Sequence, residues 1–160
     1  PIARRAAAPA PAPQRRGPDG FPLPKVYRIA EHDTARSQFE MLDAIKTRRQ
    51  AAGVAPVRLN AALNAAAATH SRDMANQNRP WHFGSDGSSP IDRARRVGYP
   101  GRVLGENISE TYETEIITLG AWMDQTDTRE VILDRAAVDL GFAWFQEESG
   151  KIWGTMMMGG

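Results

Sequence analysis

No cysteine occurs in the 160 residues, so no disulfide framework holds the fold and thiols say nothing about redox compartment. No apolar run approaches the ~20 residues that cross a bilayer, and no transmembrane segment is expected. Histidine is scarce, at His32, His70 and His82. Net charge is also small, +1 for the whole chain, which makes no case for a polyanionic partner. Two familiar motifs are missing as well. There is no G-x-S-x-G elbow to arm a serine, and no lysine-bearing P-loop to cradle a phosphate. What remains, with 41% hydrophobic residues, fits one globular domain with a real core.

The charge that is present is unevenly placed. Residues 1–30 carry Arg4, Arg5, Arg15, Arg16, Lys25 and Arg28 against Asp19 alone, leaving the rest of the chain mildly acidic. The same stretch is rich in proline and alanine, "ARRAAAPAPAPQRRGPDGFPLPK", and reads as extended chain without a core of its own. Residues 1–33 are therefore taken as an arm and 34–160 as the domain. The chain opens on Pro1 rather than methionine, as a processed exported protein or a trimmed chain would.

From Asp33 the pattern turns helical. Phe39, Leu42, Ile45 and Arg49 are spaced for one face, with Gly53 as a stop. A second stripe runs through Leu59, Leu63, Ala66, His70 and Met74. "SPIDRARRVGY" predicts a short helix capped by Ser89, with Pro90 first and Gly98 at its end. "ETEIITLGAWMDQ" and "TREVILDRA" predict a fourth and a fifth. The end differs: "VDLGFAWFQ" and "KIWGTMMMG" flank the turn "EESG" and read as a β-hairpin. A four-residue turn puts Trp144 opposite Trp153. Leu140, Phe142 and Trp144 make one face apolar, and Ala143 and Phe145 make the other so. A hairpin apolar on both faces must be covered on both, so the sheet is expected between helices.

Two loops carry candidate chemistry. "WHFGSDGSS", residues 81–89, offers His82 beside hydroxyls, glycines and Asp86. A catalytic triad needs its members brought from distant parts of the fold, which one short loop does not do. Turn chemistry explains it better: Ser85 and Asp86 bond backbone amides, while Gly84 and Gly87 permit left-handed torsions. A catalytic zinc needs three protein ligands. His32 sits in linker-like "AEHDT", and His70 on an apolar helix face reads as a core histidine satisfied by a hydrogen bond. His82 alone has site-like surroundings. In "VLGENISE", Glu106 is either a surface turn residue or a partly buried acid with a partner.

Taken in order, "HFGSDGSSPIDRARRVGY", "GENIS", "AWMDQ…REVIL" and "GFAWFQEESGKIWGTMMMGG" resemble the bacterial branch of the CAP superfamily, the cysteine-rich secretory, antigen and pathogenesis-related proteins. The resemblance covers about residues 34–160. It implies an α+β fold, an α–β–α sandwich with a small antiparallel sheet between helices, and an exported location, periplasmic or extracellular. It also implies a cleft lined by two histidines and acidic residues, which in some members holds zinc or another divalent ion. His82 is the first cleft histidine and Glu106 the first glutamate, with Asn107 beside it. Thr128 stands where the second histidine is expected, and the second acidic position falls near Gln125. On those departures no metal cofactor is expected, His82 and Glu106 being the only ligands on offer.

The expectation is thus an exported CAP-domain protein that binds rather than catalyses, an accessory subunit of an envelope-associated assembly. Its arm would dock through Arg4, Arg5, Arg15 and Arg16 on an acidic or phosphate-bearing surface, with Phe21 and Leu23 as apolar anchors. One alternative is a hydrolase or peptidase-like cleft using His82 and Glu106. Another is a binder of lipid or sterol. Nucleic acid is not expected, since the arginines are not interleaved with stacking aromatics.

Overall fold

The computed structural model describes residues 18–21, 27–29 and 33–160. Among them lie helices α1 (Thr34–Ala51), α2 (Ala61–Gln77), α3 (Pro90–Arg96), α4 (Glu115–Asp124) and α5 (Thr126–Ile132). Strands β1 (Arg58–Leu59), β2 (Val103–Thr111), β3 (Asp139–Gln146) and β4 (Ile152–Gly159) form one sheet in the order β1-β3-β4-β2. β3, β4 and β2 run antiparallel, and two-residue β1 adds a parallel edge to β3.

Local chemistry sets most helix ends. Asn60 accepts the Leu63 amide to start α2, and left-handed Asn78 ends it. At α3, Ser89 accepts the Asp92 amide while Asp92 accepts the Ser89 amide, a reciprocal cap with Pro90 at the first position. The second stripe begins at Leu63 rather than Leu59, because Arg58 and Leu59 pair with Asp139 and Leu140 as strand β1. α5 starts at Thr126, two residues before the predicted Thr128. On α1 the buried stripe is Met41, Leu42, Ile45 and Arg49, whereas Phe39 is 60% exposed. At about 100° per residue Phe39 lies roughly 105° from the centre of that stripe. Arg49 is fully buried, yet its guanidinium donates to the carbonyls of Ala55, Ile132, Asp134 and Ala137 and so closes the end of α5.

The hairpin separates two cores. Leu140, Phe142, Met156 and Met158 pack with Met41, Leu42 and Ile45 of α1 and with Leu119, Trp122 and Ile132. On the opposite face Met157 packs with Leu63 and Ala66 of α2, Ala94 of α3 and Tyr99. The sheet is sandwiched between helices. α2 lies so close to β3 that a side-chain carbon at Gly141 would come within 2.4 Å of Leu63.

The register corrects one expectation. Gln146 pairs with Ile152, so the connection is five residues, closed by the Glu147 amide donating to the Lys151 carbonyl. Phe145, not Trp144, therefore lies opposite Trp153, and Trp144 pairs with Gly154. One added loop residue moves the two tryptophans to opposite faces. Trp153 is fully buried on the Met157 side; Trp144 is half-buried beside Phe142 on the α1 side.

Of the arm, residues 27–29 lie on this hairpin. The Ile29 amide donates to Gln146 Oε1, Gln146 Nε2 donates to the Tyr27 carbonyl, and the Tyr27 ring sits 6.0 Å from Trp144.

Candidate functional site

The chain leaves α2 at Asn78 and folds into the loop that the sequence singles out. Its turn is built from backbone and carboxylate bonds. The Gly84 amide donates to the Ser88 carbonyl, the Ser85 amide to Asp73, and the Ser88 amide to Asp86. Asp86 is held well below the usual carboxylate range by the Ser88 hydroxyl and amide and then by Arg96, 2.6 Å away. Gly87 takes a left-handed torsion (φ 82°), as turn chemistry requires. Gly84 does not; it is needed for space, since an added carbon would meet Ser88 Oγ at 2.5 Å.

With the loop closed, His82 and Glu106 are brought together from 24 residues apart. His82 Nδ1 lies 2.9 Å from Glu106 Oε1. Facing a carboxylate, Nδ1 carries the proton and donates. The His82 side chain is 50% exposed, while that of Glu106 is 2% exposed. Glu106 sits in strand β2, not in a turn, and is a buried acid with partners.

The second partner is Arg93, on the inward face of α3. Its Nη2 donates to Glu106 Oε2 at 2.5 Å, and its Nη1 donates to the carbonyls of His82 and Ser88. A buried guanidinium thus ties loop, helix and strand together. Sequence reading passed over Arg93, because "RARR" looks like one solvated face. The available signal was the demand itself: a buried glutamate requires a cation, and "RARR" offers three without saying which turns inward.

His70, fully buried on α2, donates from Nε2 to the Trp81 carbonyl at 2.7 Å and stands 3.9 Å from Glu106 Oε1. Its Nδ1 is then an unprotonated, buried nitrogen without a partner. Burial pulls its pKa down, with Arg93 adding to the effect against the pull of Glu106. Next to it, Trp81 is covered by Arg79 at 3.7 Å and meets Phe83 edge-on at 5.5 Å.

Asn107 and Thr128 form a separate pair. Successive strand residues point to opposite faces, so Asn107 turns away from Glu106. Its Nδ2 donates to the Thr128 carbonyl at 2.9 Å. The Thr128 hydroxyl donates to the Trp122 carbonyl at 2.6 Å, and Trp122 Nε1 to the Ile108 carbonyl. Asn107 and Thr128 pin the α4–α5 junction to β2, and among the described residues no hydrogen bond joins them to His82. Gln125 is exposed at that junction.

These groups do not fit a zinc ion. Both Glu106 oxygens are taken, one by a guanidinium whose positive charge opposes a second cation, and His70 Nε2 faces a carbonyl. The donors left fall short of three. Of the proposed arm contacts, Phe21 is 70% exposed, and Arg4, Arg5, Arg15, Arg16 and Leu23 lie outside the described residues, as does His32.

The family model for the cysteine-rich secretory protein family (CAP) matches residues 42–157. YkwD of Bacillus subtilis, an uncharacterized protein, is 28% identical over 120 residues, which is 75% of this chain and 46% of that protein. The chain thus spans about half the length of this curated relative. An outer surface protein of Borrelia burgdorferi is similar in structure, with TM-score 0.73 and 12% identity over 84% of this chain and 98% of its own. An extracellular protein containing an SCP domain from Bacillus anthracis also gives TM-score 0.73, at 17% identity, over 82% of this chain and 44% of its own. At these identities the structural likeness is one of fold.

Proposed function

The chain belongs to the cysteine-rich secretory protein family, and from that premise we propose that it is an exported protein acting by binding, as an accessory subunit docked on an envelope-associated assembly. The observation that carries the non-catalytic part is the state of Glu106. An acid serving as base or polariser needs an oxygen turned to the substrate, and here His82 takes one and buried Arg93 the other. The network serves to hold a loop. An outer surface protein and an extracellular protein among the structural neighbours support an exported location. The arm supports docking by its composition, with arginine pairs flanking a proline-rich run whose ordering costs little chain entropy.

Deletion of residues 1–26 tests this, since it spares residues 27–29 on the hairpin. The truncated chain should fold and lose co-fractionation with the envelope assembly that the full chain shows. Co-fractionation at full yield overturns the docking role.

One observation favours a second reading. Glu106 orients the half-exposed His82 ring through Nδ1, leaving Nε2 as the ring atom able to accept a proton from outside. A peptidase or esterase activity that vanishes in His82→Ala would replace the binding reading by that one.

A further inference from the structure

A groove of about 620 Å³ lies between α2, α3 and the loop around Ser85. Small-molecule sites commonly hold roughly 300–1,000 Å³. Its α2 wall is formed by Thr69, Arg72, Asp73 and Asn76, whose spacing of three and four puts them on one helix face. Arg93 and Arg96 of α3 stand opposite.

The polar groups of this groove are unevenly matched. Both carboxylates in its lining are already engaged. Asp73 Oδ2 accepts the Ser85 amide at 2.7 Å and Gln77 Nε2 at 3.3 Å, while Asp86 accepts the Ser88 amide and Arg96. Several donors are not engaged. Arg72 enters no ion pair among the described residues, its guanidinium lying 5.2 Å over the Phe145 ring. Arg93, with 4% of its side chain exposed, uses both Nη atoms on Glu106, His82 and Ser88, and its Nε is buried without a partner. The exposed side chains of Thr69 and Asn76 make no hydrogen bond among the described residues.

A groove with spare donors and engaged acceptors selects a ligand that brings oxygens. One end of that ligand must be an anion, to match Arg72. Its body must carry hydroxyls, because Thr69 and Asn76 can each both donate and accept. A bare phosphate or carboxylate ion would fill only a small part of the space.

We propose that this groove binds an anionic sugar, a hexose unit bearing a phosphate or a carboxylate. The anion pairs with the planar fork of Arg72, which fits either group. Ring hydroxyls meet Thr69 and Asn76, and one ligand oxygen accepts from Arg93 Nε. Ala66, Ala68 and Val97 provide apolar contact for the C–H face of the ring. The groove uses no residue of the arm, so its ligand is independent of the docking role.

Heteronuclear NMR of the full chain, titrated separately with glucose 6-phosphate, glucuronate, glucose and inorganic phosphate, tests this. At least one of the two anionic sugars should bind saturably, one to one, and about tenfold or more tighter than glucose or phosphate. The Arg93 Nε–H signal should move in step with that binding. Arg72→Gln should weaken it about tenfold or more, as loss of a charged hydrogen bond does. Thr69→Val should weaken the sugar and leave phosphate unchanged. Lys46→Gln removes an exposed cation of α1 outside the groove and should alter nothing. Inorganic phosphate binding as tightly as both sugars would mean an adventitious ion only, and overturns the proposal. So does a lack of saturable binding by either sugar, or an Arg72→Gln chain that binds as well as the unaltered one.

Discussion

A glutamate with 2% of its side chain exposed is tolerated because Arg93 and His82 divide its two oxygens. Removing one partner from a buried pair leaves an uncompensated charge, which costs about 3–5 kcal/mol. Arg93→Met should lose that much on denaturant unfolding, and adding Glu106→Gln should restore a good part of it. Additive losses would mean that the two do not interact. His82→Ala removes a bond at a half-exposed site and should cost only about 1 kcal/mol. The same pair opposes zinc. Equilibrium dialysis should find no tightly held zinc, and one zinc per chain lost on His82→Ala would reverse that conclusion. His70 gives a pH dependence of its own. Its folded pKa is depressed, so its neutral form costs nothing above the unfolded value of about 6.5, and stability is lost as pH falls below it. Glu115 acts in the opposite sense. Its pKa is raised, so the stability it contributes is full below about 4.5 and lost as pH rises through about 7. Unfolding of Glu115→Gln from pH 5 to 8 should therefore show the His70 loss on the acid side and no decline toward pH 8.

At the scale of the element, the hairpin shows how one loop residue decides packing. The Glu147–Lys151 backbone bond sets a five-residue connection, and Gly150 within it has φ 100°. Any side chain there is strained, so Gly150→Ala should cost about 1–2 kcal/mol. Trp153 is fully buried, with Nε1 donating to Glu147 and Lys151 over its ring. Trp153→Ala should cost about 3–5 kcal/mol. Trp144 is half-buried, with an unpartnered Nε1, and its replacement should cost clearly less. Equal losses at the two tryptophans would contradict the register. The helices are governed more locally. Asn60, Ser89 with Asp92, and Thr114 each satisfy amides within three residues, and such signals are written in adjacent letters.

For the whole molecule, the two-faced hairpin was the sequence's most informative feature. A strand pair apolar on both sides has one stable environment, so the sandwich followed without any knowledge of its neighbours. The caps, the α2 stripe and the turn around Gly87 were legible for a related reason: their partners lie within a few residues. The sequence could also nominate His82 and Glu106, but not join them. Their meeting depends on how far loop 84–88 folds back and on which face of β2 the glutamate takes. Tertiary structure alone turned Arg93 inward while Arg95 and Arg96 stayed exposed, and split Asn107 and Thr128 from His82 by the alternation of one strand. Short-range hydrogen bonds and apolar periodicity are properties of adjacent residues and survive in the sequence. The pairing of buried charges depends on distances that do not exist until the chain has folded.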